Sequence, residues 1–95
     1  MTVQLPSLEL IEASHTFPGL YTFKIIGDSR DDFVADALTQ AMAAIGQDRE
    51  FNHSIRASSS GNHTALTLSV RLENAREVHA VYEKLLKIKG IRALF

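Results

Sequence analysis

Two alternating stretches in the second half of the chain constrain the fold more than any other feature. Phe51, His53, Ile55 and Ala57 alternate with Asn52, Ser54, Arg56 and Ser58. Further on, Leu66, Leu68, Val70 and Leu72 alternate with Ala65, Thr67, Ser69 and Arg71. A period of two belongs to a strand with one buried face. For the two apolar sets to share that face, Ile55 must stand opposite Leu66 and His53 opposite Leu68. A slip of one residue would turn one whole set to solvent. This register leaves Ser59-Ser60-Gly61-Asn62 as the hairpin connection, with residue types suited to a turn, and sets Glu50 opposite Arg71.

The rest of the pattern is arranged around this hairpin. Tyr21, Phe23 and Ile25 alternate with Thr22 and Lys24, which predicts an earlier strand from Gly19 that Gly27 and Asp28 end. Ser29 is the expected N-cap of a helix, with Asp31 and Asp32 in its first turn, where carboxylates complement the helix dipole. Phe33, Val34, Ala37, Leu38, Ala41, Met42 and Ile45 recur at helical spacing, and Gly46 stands where a left-handed residue stops a helix. Asn74 with Glu77 reads as a capping box opening a second helix, whose stripe is Val78, Val81, Tyr82, Leu85 and Leu86. Lys84, Lys87 and Lys89 lie toward its C-terminal end, and Gly90 closes it. Ile91 to Phe95 is a short apolar strand. Residues 1–16 show no clear period. Pro6 interrupts them, Leu8, Leu10 and Ile11 hint at one helical turn, and they are expected to be an extension to a single domain over residues 17–95.

The order strand, helix, strand, strand, helix, strand predicts an α+β fold, an α/β sandwich of the ferredoxin-like βαββαβ type. Right-handed crossovers put both helices on one face of a four-stranded antiparallel sheet with strand order 4-1-3-2. Phe23, Ile25, Phe51, Ile55, Leu66, Leu68 and Val70 then lie under the helices. The other face is expected to be polar, with no aromatic ring.

Composition removes several functions. Ten Lys+Arg against eleven Asp+Glu, a net charge of -1, give no basic coat for nucleic acid or for a membrane surface. With no Cys, disulfides, thiolate metal sites and a Cys nucleophile are excluded. No apolar run approaches a spanning helix and no signal-peptide core follows Met1, so a cytoplasmic protein is expected.

Three stretches carry a family resemblance. They are Phe17-Pro18-Gly19-Leu20-Tyr21-Thr22-Phe23-Lys24-Ile25-Ile26-Gly27, then Arg56-Ala57-Ser58-Ser59-Ser60-Gly61-Asn62, then Val81-Tyr82-Glu83-Lys84-Leu85 with Lys89-Gly90-Ile91. In this order they resemble the YbeD-like bacterial proteins of unknown function, over roughly residues 17–95. The resemblance implies a cytosolic protein with a fold similar to the ACT regulatory domains of amino-acid metabolism, and no established activity. A link to lipoate metabolism suggested for some members rests on gene proximity, which is association rather than mechanism. The segment before Phe17 departs from the shorter family start.

The candidate sites differ in chemistry. His15, His53, His63 and His79 show no metal-ligand spacing, and the hairpin register puts His53 on the core face and His63 on the opposite one. No Gly-x-Ser-x-Gly elbow is present, so neither a catalytic set, a metal nor a cofactor is expected. In ACT domains the turn between the first strand and first helix touches a small ligand. Here that turn is Gly27, Asp28 and Ser29, where a glycine permits close approach and amides at a helix start offer donors. Such a site suits a zwitterion, its ammonium on Asp28 and its carboxylate on the amides. A capped helix start explains the same residues, and the Asp-x-Pro-Gly turn common in ACT domains is absent. Ser58, Ser59 and Gly61 offer an anion-binding nest or, more simply, a hairpin turn. On the open sheet face stand Lys24, Arg56 and Arg71, joined by Arg92. Sheet-face RNA binders need aromatic platforms on the central strands. Thr22, Lys24, Thr67 and Ser69 occupy those positions, so a nucleic-acid partner is not expected. The expectation is a regulatory or protein-interaction module that meets a protein partner or a second copy, with an amino-acid-like sensor at the first turn as the alternative.

Overall fold

The computed structural model describes residues 5–30, 32–46 and 48–95. Its elements run α1 (Leu8–Ser14), β1 (Gly19–Asp28), α2 (Phe33–Ile45), β2 (Phe51–Ala57), β3 (His63–Leu72), α3 (Ala75–Leu85) and β4 (Ile91–Leu94). The alternation in the sequence fixes the ladder. β2 pairs antiparallel with β3, with Ile55 opposite Leu66 and His53 opposite Leu68, the predicted register. The Arg71 N–H donates to the Glu50 carbonyl at 3.2 Å, which continues that register by one pair. β1 pairs antiparallel with β3 from Gly19↔Leu72 to Asp28↔His63, and β4 joins the far side of β1. The sheet order is β2-β3-β1-β4, as expected. The result is an α+β fold with a four-stranded antiparallel sheet.

The described residues hold three helices rather than the expected two. The core holds Phe23, Ile25, Leu66, Leu68 and Val70 from the strands, Phe33, Ala37 and Ala41 from α2, and Val78, Val81 and Leu85 from α3. Burying each large side chain contributes about 1.5–3 kcal/mol relative to leaving it exposed. The additional helix is α1, where Leu8, Leu10 and Ile11 hinted at one turn. Ser7 caps it by accepting the Leu10 N–H at 3.1 Å, Ile11 is 2% exposed, and the His79 Nε2 is 2.6 Å from the Pro6 carbonyl. Part of residues 1–16 is therefore docked on α3.

Local endings differ from expectation at three places. Ser29 is not the N-cap of α2. Its hydroxyl pairs with that of Thr64 at 3.0 Å and its N–H donates to the Asn62 carbonyl, so it prolongs the sheet and the helix opens at Phe33. Asp31, expected in the first turn, lies outside the described residues. Gly46, with φ +90°, ends α2 as expected, but α3 ends at Leu85 and Gly90, with φ +87°, serves the turn into β4. The third difference is coverage. β2 is an edge strand that the helices cover only at its Phe51 end, so Ile55 is 54% exposed and His53 is exposed, although both have core-side parity. Phe51 is half-buried at the covered end of the strand.

Candidate functional site

Strand parity assembles the open sheet face. Lys24 stands opposite Thr67 and Arg56 opposite Ala65, while Arg71 stands opposite Leu20. All three cations are exposed, and among the described residues none takes part in an ion pair. Lys24 and Arg56 both border a shallow depression of about 270 Å³, with Ser54, Ala65 and Thr67. A second depression of similar size adjoins it, lined by Ile26, Arg56, Ala57, Ser58, His63 and Ala65. Arg71 lies four positions along β3 from Thr67, about 13 Å away at strand spacing, so it is not part of this cluster. The strands together carry Lys24, Arg56, Arg71 and Arg92 against one carboxylate, Asp28.

The face is less uniformly polar than its sequence implied. Ile26 and Ala93 pair across β1 and β4, and Ala65 sits beside Ile26 on β3. Phe95 exchanges both backbone hydrogen bonds with Lys24, at 3.1 and 2.9 Å, and is 63% exposed. One aromatic ring therefore accompanies this face at its edge, contrary to the ring-free expectation. It was missed because a terminal residue has no flanking alternation to declare its side. The central positions remain Thr22, Lys24, Thr67 and Ser69, with the Thr22 and Ser69 hydroxyls 2.9 Å apart.

The turn after β1 is held by the protein's own groups. A Cβ on Gly27 would lie 2.2 Å from Cε1 of Phe33, so the space at this glycine is filled by a ring of α2. Asp28 accepts from Arg92 Nε at 2.7 Å, and that hydrogen bond draws its carboxyl below the usual range. Arg30 ties the turn to the start of β4 by donating to the Lys89 carbonyl at 2.9 Å and to Asp36 at 2.9 Å, and it also contacts Asp32. In the hairpin loop the amides face inward. The Gly61 N–H donates to the Ser58 carbonyl at 3.0 Å, and the His63 N–H to the Ser58 hydroxyl at 3.2 Å. The Asn62 amide is 3.4 Å from the Ser60 hydroxyl. Ser58, Ser59 and Gly61 thus sit in a turn whose donors at 61–63 already have acceptors, which is what an anion nest would need free.

A second cluster, which the sequence did not single out, joins α3 to the start of β2. Arg49 donates to both Glu77 carboxylate oxygens, at 2.8 and 2.5 Å, and to the Arg71 carbonyl at 3.1 Å. Glu77 accepts also from the Glu73 N–H at 2.6 Å, while Asn74 accepts from the Glu77 N–H at 3.1 Å. The Arg49 guanidinium holds the Glu77 carboxyl below its usual range against the opposing effect of burial. Only the Asn74–Glu77 half was legible, because the capping spacing is local and the Arg49 contact is not. Burial raises the Tyr82 phenol, which is 3.4 Å from the Tyr21 hydroxyl beneath Phe23. Each displaced ionisable group therefore has a structural partner or a buried position as its cause.

This architecture, a sheet of order β2-β3-β1-β4 with α2 and α3 against it, is that of the ACT-like α/β domains. The ACT domain of a GTP pyrophosphokinase from Chlorobium tepidum superposes with a TM-score of 0.60 at 16% identity, covering 80% of this chain and 94% of that one. The solution structure of protein HP0495 from H. pylori matches with a TM-score of 0.66 at 13% identity, covering 99% and 98% of the two chains. Residues 12–95 match the family described as protein of unknown function (DUF493), and the chain belongs to that family. Relatives named UPF0250 protein include one from Shewanella loihica, 28% identical over 80% of this chain and 84% of its own length. Another, from Haemophilus ducreyi, is 29% identical over 80% and 76%. The YbeD-like resemblance of the sequence is thereby shown. Among the described residues, no helix is long and apolar enough to cross a membrane.

Proposed function

We propose that this protein is a non-enzymatic, cytoplasmic interaction module of ferredoxin-like βαββαβ core, whose open sheet face receives a protein partner presenting acidic side chains. The observation that carries the reading is the charge of the sheet, Lys24, Arg56, Arg71 and Arg92 against Asp28 and the adjoining Glu50, in a chain whose net charge is -1. Lys24, Arg56 and Arg71 supply positive charge that is in no ion pair among the described residues, and Ile26 and Ala65 supply an apolar floor beside Lys24 and Arg56. Complementary charge of this kind steers association and selects partners more than it adds affinity. The non-enzymatic part is supported by the displaced ionisable groups, all of which serve structural pairs or burial. The small-ligand reading of Gly27, Asp28 and Ser29 is less well supported, because Phe33, Arg92 and Thr64 already occupy those groups.

The test is affinity capture with the wild type and with the double variant Arg56→Glu/Arg71→Glu, followed by binding of each captured protein in purified form. Partners lost by the double variant, and weakened by added salt in the wild type, bear the proposal out. An unchanged set of partners removes the face from consideration.

A further inference from the structure

Three rows of side chains cross the open face between β2 and β1. Ser54, Thr67 and Lys24 make one row, Arg56, Ala65 and Ile26 the next, and Ser58, His63 and Asp28 the third. Neighbouring rows on one face of a sheet are about 7 Å apart. The middle row dips at Ala65, whose side chain is a single methyl group, and continues to Ala93 on β4. Beyond that pair the β1–β4 ladder shifts register between Ile26 and Gly27, and Arg92 donates to Asp28 at 2.7 Å. The two depressions of the face both border Arg56 and Ala65 and differ in chemistry. Lys24 and the hydroxyl residues Ser54 and Thr67 line one. Ile26, Ala57 and His63 line the other.

A cationic site joined to an apolar one fits a group that carries a carboxylate and an apolar side chain a short, fixed distance apart. The C-terminal residue of a protein is such a group. Both leave one Cα, and the carboxylate carbon and the far part of a large side chain are about 5–6 Å apart. We infer that the double depression holds the C-terminal residue of a partner protein, its α-carboxylate on Arg56 and Lys24 and a large apolar side chain against Ile26 and Ala65. Arg56 offers parallel N–H donors that match both carboxylate oxygens, and Lys24 adds a point charge. An internal segment fits this face less well. The face of a sheet offers no free backbone groups, so a strand laid flat on it would bury peptide groups without partners. A terminal residue enters alone and leaves its peptide groups in water. A free amino acid fits less well again, because no carboxylate lines either depression to receive its ammonium and Asp28 is already held by Arg92. Capture of a chain end rests on the reading of this face as a receptor for negative charge, and names the group that carries the charge.

The probes are the peptide acetyl-Gly-Ser-Gly-Phe with a free C-terminus, its C-terminal amide, and acetyl-Gly-Glu-Gly-Phe amide, whose carboxylate is on a side chain. In titrations of the full chain followed by amide NMR shifts, the free acid is expected to move Lys24, Arg56 and Ala65. Both amides are expected to bind about tenfold more weakly, through loss of the terminal charge-assisted pair. Arg56→Gln is expected to weaken the free acid to a similar degree. Arg71→Gln, about 13 Å along the sheet, is expected to leave it unchanged. Free phenylalanine is expected to move none of these amides. A free acid that leaves Lys24, Arg56 and Ala65 unmoved overturns the capture of a chain end, and so does one that binds Arg56→Gln as it binds the wild type. An amide probe or free phenylalanine that binds as tightly as the free acid overturns it too. Where the glutamate probe is the one that matches, terminal capture fails while the acidic-partner reading stands; that reading is decided separately, by the partners that Arg56→Glu/Arg71→Glu retains or loses.

Discussion

Gly27 of β1 and Phe33 of α2 meet so closely that the first carbon of any side chain at Gly27 would fall 2.2 Å from Cε1 of the ring. The glycine is there for space, since its backbone needs no positive φ. Gly27→Ala must displace a fully buried ring that anchors α2. Overpacking of this kind costs about 1–3 kcal/mol. For a domain of this size the melting temperature is expected to fall by about 10 °C, measurable by circular dichroism. An unchanged melting temperature would show that Phe33 does not fill this space in solution.

The Arg49–Glu77 pair gives the stability of the protein an acid limb. Both side chains are about one-fifth exposed, so solvent screens them little. The folded state holds the Glu77 carboxyl below its usual range. A depressed carboxyl contributes stability that is fully present above the unfolded value and is lost as pH falls through the folded one. Glu77→Gln is expected to lower stability by about 2 kcal/mol at neutral pH and to flatten the decline at acidic pH. Chemical denaturation of both proteins at neutral and acidic pH checks the sign. A loss that grows on acidification would contradict the pairing.

Position 61 separates a turn from an anion site. Gly61 has φ +78°, which costs a residue with a Cβ about 1–2 kcal/mol. Gly61→Ala is expected to be destabilising by that amount, whereas Ser59→Ala is expected to be nearly neutral. Added phosphate is expected to leave the wild-type melting temperature unchanged beyond the effect of ionic strength. A specific rise, abolished by Ser58→Ala, would reinstate the nest.

The N-terminal helix is tested through its two attachments. Ile11→Ala empties a buried site and is expected to cost about 2–4 kcal/mol, against about 1 kcal/mol for loss of the hydrogen bond in His79→Ala. Hydrogen exchange in residues 8–14 is expected to quicken in both variants while the sheet amides stay protected. Faster exchange throughout the sheet after Ile11→Ala would mean that α1 belongs to the same cooperative unit.

Much of this was legible in the residues themselves, for a physical reason. Alternation leaves one register in which Ile55 meets Leu66, and the structure adopts it. Family membership was legible as well, from three ordered motifs. What the residues concealed was lateral. Parity gives the side of the sheet on which Ile55 and His53 lie but not whether a helix reaches them, and β2 extends beyond α2 and α3. Ser29 has the chemistry of an N-cap, yet Thr64, thirty-five positions away, competes for its hydroxyl and wins. The helix α1 showed only as a hint of one turn at Leu8, Leu10 and Ile11, because its seven residues and one fully buried side chain are too little for a period to emerge. At the candidate site the cations on the strands followed from parity. The occupancy of the first turn by Phe33 and Arg92 depends on contacts between distant segments.

The broken pairing of β4 has a consequence for growth. A sheet with two open ends, each able to recruit another molecule, would lengthen without limit into a fibre. Here Gly27 and Ile91 interrupt the far ladder after a few residues, and an interrupted ladder is a poor template for a further strand, so the β4 end of the sheet is guarded against open-ended addition.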